Sequence, residues 1–149
     1  MAHHEGAVMT SRQYIYRITE VLKVTDGDTY WLRVDTGFRQ TLLVNVRLLG
    51  YDCPERHRGS DFEKAEAVRA TSIATDFLAP AVPTPGASLW VRTEKDPDDF
   101  GRWLGDVWLE SDGDQWPERH LGAELRSHGL ASTWPTRWHD EFDTQKGNA

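Results

Sequence analysis

The ten residues from Val46 to Glu55, VRLLGYDCPE, constrain this chain more than any other stretch. Val46, Leu48 and Leu49 read as the end of a buried strand, with Arg47 set among them. A guanidinium inside an apolar strand is costly to bury without anionic partners. Gly50-Tyr51 lets the chain turn out of the sheet, and Pro54 fixes the backbone of the turn that follows. Asp52 and Glu55 flank that proline, close to where the strand delivers Arg47. Either the carboxylates are the arginine's partners, or all three face a shared anionic ligand together with a cation. Both readings make this stretch a site.

The surrounding pattern supplies a scaffold. Gln13 to Val24 reads as a first strand, Thr25-Asp26-Gly27-Asp28 as a turn, and Tyr30, Leu32 and Val34 as the inward face of a second strand. Asp35-Thr36-Gly37 is a hairpin signal, and Gln40 to Leu49 is the third strand. After the basic loop Arg56-His57-Arg58-Gly59, Ser60 and Glu63 fit a capping box opening a helix to about Leu78. Phe62, Ala70, Ile73, Ala74 and Phe77 are its expected apolar face, and Pro80, Pro83 and Pro85 follow it. Leu89–Thr93 and Trp103–Leu109 read as the fourth and fifth strands, the latter ending in an Asp112-Gly113 turn. A second helix is expected from Pro117, with Leu121 and Leu125 stacked at i, i+4 and Gly129 as its C-terminal cap. This order predicts an α+β, mainly β fold: a five-stranded antiparallel barrel of OB type with two or three helices. Its expected span is residues 13–134, after a disordered leader (1–12, with Met9 a candidate start) and before a polar tail (135–149). Trp138 and Phe142 allow a short docked helix in that tail.

Composition narrows the function. The 149 residues suffice for one core, and no apolar run is long enough to span a bilayer. A single cysteine, Cys53, excludes an internal disulfide and makes a reducing cytoplasm the expected compartment, without membrane attachment. The net charge of −7 is unsuited to gripping a phosphate backbone through a broad surface field. A nucleic-acid role must then rest on local arginines and a metal.

In Asp26-Gly27-Asp28 an extended backbone points both acids to the same side, roughly 6–7 Å apart. Gly27 clears the space between them. Taken alone, this turn has an ordinary backbone explanation, since Asp and Gly populate turns. Beside Asp52 it becomes informative: aspartates and a main-chain carbonyl form a hard oxygen site suited to a cation such as Ca²⁺. Imidazole and thiolate ligands are missing from these motifs, and Cys53 has no histidine placed to activate it as a nucleophile.

Five pieces, DGDT (Asp26–Thr29), VRLLGYDCPE, the glycine-to-helix segment after it, DFGR (Asp99–Arg102) and GLA (Gly129–Ala131), occur in the order and spacing of the staphylococcal nuclease (thermonuclease) family. The chain resembles that family over roughly residues 13 to 134. The resemblance implies an OB-like barrel and Ca²⁺-dependent phosphodiester hydrolysis of DNA or RNA, leaving 3′-phosphate ends. It implies Asp28 and Asp52 as metal ligands, the Cys53 backbone carbonyl as another, and Asp26 in support. It implies Arg47 and Arg102 as donors to the scissile phosphate, and Glu55 as the residue addressing the attacking water.

The chain also departs from the family. Phe100 stands where a tyrosine often precedes Gly-Arg, and Gly122 where the second helix often carries asparagine. Trp134-Pro135 lies where a tyrosine approaches the substrate, so Trp134 is a candidate stacking surface. A short tail replaces the long C-terminal helix. Arg56, Arg58, Phe100 and Trp134 are the expected substrate contacts, and the acidic run Asp96–Asp99 reads as a solvated loop. The sequence thus reads as a monomeric Ca²⁺-dependent nuclease favouring single-stranded substrate. The rival readings are a nucleic-acid- or protein-binding module of the same fold without catalysis.

Overall fold

The computed structural model describes residues 13–81, 85–111 and 118–145. The expected leader, the Asp112-Gly113 turn and Pro117 lie outside them. The elements are β1 (Ile15–Asp26), β2 (Thr29–Gly37), β3 (Gln40–Leu48), β4 (Tyr51–Asp52), α1 (Asp61–Leu78), β5 (Ala87–Thr93), β6 (Trp103–Ser111), β7 (Arg119–His120), α2 (Leu121–Ser127), β8 (Ser132–Thr133) and α3 (Trp138–Phe142).

Strands run in the order β3-β2-β1-β5-β6, and a β3–β6 pairing closes them into a five-stranded barrel of OB type. The expected antiparallel pairing holds at every junction but this last one. Val46, Arg47 and Leu48 pair in parallel with Trp103, Leu104 and Gly105. β1 curves enough to serve both neighbours because its register with β2 shifts three times, each shift adding local twist. The interior holds Ile18, Tyr30, Leu32, Val34, Val46, Leu48, Leu89, Val91 and Val107, all buried at alternate strand positions. No helix of the described residues is long and apolar enough to cross a membrane.

α1 begins where the capping signal places it, with Ser60 Oγ accepting from Glu63 N at 3.0 Å. Its buried face is Ala67, Ala70, Ala74, Phe77 and Leu78, while Phe62 turns instead towards Trp138, ring centroids 6.0 Å apart. α2 starts at Leu121, later than Pro117, because Arg119 and His120 extend β6 as a short edge strand. It ends as Gly129 predicts. Gly129 N donates to Arg126 O and Leu130 N to Leu125 O, both at 2.9 Å, with Gly129 at φ +71°, which completes a Schellman cap.

The segment after Trp134 is integral to the barrel's end. β8 pairs antiparallel with β4, and Trp134 N donates to Gly50 O at 2.9 Å. Trp138 is buried to 1 % exposure between Phe62 and Phe142, its indole N–H donating to Gly129 O at 3.0 Å.

Candidate functional site

β3 alternates buried Val46 and Leu48 with an outward Arg47, so the strand aims the guanidinium at the turn that follows. Nη1 donates to Tyr51 O at 2.8 Å and Leu48 O at 3.3 Å, and lies 3.1 Å from Asp28 Oδ2. Nη2 donates to Asp52 Oδ1 at 3.2 Å. The carboxylate partners of Arg47 are thus Asp52, as expected, and Asp28 in the place expected for Glu55.

Both aspartates are buried and further tied down. Asp28 Oδ2 accepts from Cys53 N at 2.8 Å and Oδ1 from Thr29 Oγ1 at 3.1 Å. Burial pushes its carboxyl above the ordinary range, opposed by Arg47 and the Cys53 amide. Asp52 Oδ2 accepts from Trp138 N at 2.7 Å and Arg137 Nε at 3.3 Å. Gly27, between Asp26 and Asp28, is needed for packing: a Cβ there would lie 2.7 Å from Ala70 Cβ. The Gly27 carbonyl also accepts from the buried Tyr30 hydroxyl. Cys53 is buried, and burial pushes its thiol well above the ordinary value, with Asp28 adding to the shift. Both effects disfavour the thiolate, the form in which a cysteine acts as a nucleophile.

Asp26 closes β1. Burial, with Asp28 and Glu55 nearby, raises its carboxyl to about 6. Its Oδ1 is buried without a hydrogen-bond partner among the described residues. Such an oxygen, beside carboxylates that repel its charge, fits a divalent cation, and the donor set is all oxygen. Among the described residues no three His, Cys, Asp or Glu side chains are gathered as a complete metal cage. A bound ion would therefore depend on carbonyl, water and phosphate oxygens as well as on these aspartates.

Glu55 follows Pro54 on a half-buried turn, and its backbone N donates to Glu63 Oε2 at 2.9 Å. The capping box is thus only half reciprocal. Glu63 turns its carboxylate to Glu55 rather than back to Ser60, whose hydroxyl donates to Asp143 Oδ2 at 2.7 Å.

Arg102 belongs to a loop organised by Asp98. Asp98 Oδ1 accepts from Phe100 N and Arg102 N at 2.9 Å, and Oδ2 from Arg102 Nε at 3.0 Å. Slight burial works against ionisation, yet these hydrogen bonds and the Arg102 charge hold the Asp98 carboxyl below its usual value. The run expected as a plain solvated loop therefore contains the anchor of Arg102. Arg47, Tyr51, Arg102, Leu104, Phe100 and Trp134 line one cleft of about 330 Å³. Arg56 and Arg58 are exposed on the loop after Glu55 and do not line it; Arg56 Nη1 reaches Thr25 O at 3.4 Å.

Sequence reasoning missed Asp98, Glu63 and Arg137. An aspartate two residues before Phe100 in a glycine-containing loop was the available signal for the first, since Asp side chains accept from the backbone N–H two residues on. Glu63 was visible only as a capping residue, and nothing local links Arg137 to Asp52. Gly122 now has an explanation, since a Cβ there would overlap the Tyr51 ring.

No family model matches the chain. It is similar to Protein ParB of Escherichia coli, 30 % identical over 122 residues, which are 80 % of this chain and 58 % of that protein. The chain thus spans less than two thirds of its relative.

Proposed function

We propose that this barrel is a Ca²⁺-dependent nuclease of the staphylococcal type, hydrolysing phosphodiester bonds of DNA or RNA in a reducing cytoplasm. One observation carries the reading: Arg47, held between two buried aspartates, and Arg102, anchored on Asp98, line the same cleft. Attack on a phosphodiester adds charge to its non-bridging oxygens, and guanidinium donors aimed there strengthen as that charge develops. Asp28, Asp52, the Cys53 carbonyl and, in support, Asp26 would hold the Ca²⁺, which when bound supplies Lewis-acid stabilisation of a phosphate oxygen. Glu55 orients the attacking water, its backbone fixed by Glu63. Phe100 and Trp134, both exposed at the cleft, offer faces for bases. Arg56 and Arg58 extend the cationic rim.

One observation favours the rival, a binding module without catalysis. Both terminal nitrogens of Arg47 are already committed to protein oxygens, so phosphate binding requires it to exchange partners. Plasmid degradation with Ca²⁺ and with chelator separates the two: cleavage that chelation abolishes is expected, and intact plasmid in both conditions leaves the binding module. Calorimetry of Asp52→Ala should show Ca²⁺ binding greatly weakened; unchanged binding would remove Asp52 from the metal site.

A further inference from the structure

Arg137 is constructed like Arg102. Arg102 donates Nε to Asp98 at 3.0 Å, and its guanidinium carbon lies 5.4 Å from the Phe100 ring centroid. Arg137 donates Nε to Asp52 Oδ2 at 3.3 Å and lies 5.9 Å from the Trp134 centroid. In each, a carboxylate takes the inner N–H and an aromatic ring supports one face of the guanidinium. Among the described residues, the terminal nitrogens of neither arginine donate a hydrogen bond. Their side chains are 30 % and 43 % exposed, against 13 % for Arg47. The supporting rings, Phe100 and Trp134, line the same cleft.

An arginine held by Nε and a ring keeps its outer pair of nitrogens as a preorganised fork, the geometry that matches phosphate oxygens. Asp52 does not need Arg137 for satisfaction. Its Oδ1 is paired with Arg47 and its Oδ2 already accepts the Trp138 amide at 2.7 Å. The fork of Arg47 is taken up by protein oxygens, whereas the Arg137 side chain is 43 % exposed and rests on Trp134, a residue of the cleft wall.

We propose that Arg137 is a phosphate-binding residue, the counterpart of Arg102, holding a second phosphate of a single-stranded nucleic acid next to the one being cleaved. The proposal rests on the nuclease reading and adds a further phosphate contact to the few that a chain of net charge −7 offers.

The test is a salt series of Kd for a single-stranded oligonucleotide with Ca²⁺, in a Glu55→Gln background that suppresses turnover. Each arginine that neutralises a phosphate contributes about 0.7 to the slope of log K against log salt on single strands. Arg137→Gln is expected to lower the slope by about that much, as Arg102→Gln should, while Arg137→Lys retains it. An unchanged slope in Arg137→Gln, with binding weaker or not, would make Arg137 a clamp on Asp52 alone and overturn the proposal. If the glutamine variant fails to fold, the lysine variant, made with Glu55 intact, decides through kcat/KM. A loss confined to substrates carrying the flanking phosphate supports the proposal, and an equal loss on a minimal single phosphodiester overturns it. Wild-type protein that neither binds nor cleaves any oligonucleotide would instead remove the nuclease reading itself.

Discussion

Arg47 bridges Asp28 and Asp52 with a two-pronged donor that no other side chain reproduces. Arg47→Ala removes the cation shared by two buried carboxylates, leaving Asp28 to the Cys53 amide and Thr29 and Asp52 to the Trp138 amide and Arg137, so a loss approaching the roughly 3–5 kcal/mol of a broken buried ion pair is expected in urea unfolding. Arg47→Lys keeps the charge but reaches fewer of the four acceptors. Its expected cost is on the order of 10²-fold or more in kcat, measured as plasmid turnover. Glu63 makes a different point. Burial is the main force raising its carboxyl above the ordinary 4.5, aided by Asp143 and Glu55 and opposed by the Glu55 amide and His139. The folded state therefore favours protonated Glu63. The associated stability is full below about 4.5 and is lost as pH rises through the higher folded value. Glu63→Gln keeps an acceptor for Glu55 N and should flatten that part of the stability–pH curve. Glu63→Ala strands the amide and should cost about 1–3 kcal/mol at any pH. Parallel curves for wild type and Glu63→Gln would show that Glu63 is not the titrating group.

The elements meet at small residues. α1 approaches the Asp26-Gly27-Asp28 turn so closely that Gly27→Ala would place a methyl 2.7 Å from Ala70 Cβ and 3.2 Å from Cys53 Sγ. Overpacking of this kind costs about 1–3 kcal/mol, and adding Ala70→Gly should recover part of it. A denaturant double-mutant cycle without coupling would mean the strain is relieved elsewhere. Trp138→Ala should cost about 3–5 kcal/mol through the cavity it leaves between Phe62 and Phe142, measured in the same way. These elements also show what the sequence could express. Ser60 and Gly129 declared the ends of their helices because caps are local, and the alternation of Tyr30, Leu32 and Val34 declared an inward face. The parallel β3–β6 seam was not legible, since it joins strands far apart in the chain and no local pattern distinguishes its sense. Asp98 read as part of a solvated loop, and Arg137 fell unnoticed in the polar tail, for the same reason: their meaning lies in which partner the fold brings to them.

At the scale of the whole molecule, a chain of net charge −7 that serves as the proposed nuclease would bind its polyanion through few contacts. The salt slope should be shallow, about 0.7 per phosphate on single strands and 0.9 on duplex, with single-stranded substrate preferred. Filter binding across a salt series checks this, and a steep slope with tighter duplex binding would contradict it. The amide of Trp138 that completes Asp52 lies 86 residues downstream of it. Until the segment carrying Trp138 docks, the Asp52 carboxylate therefore lacks its shortest hydrogen bond, and one half of the site waits on a residue far along the chain.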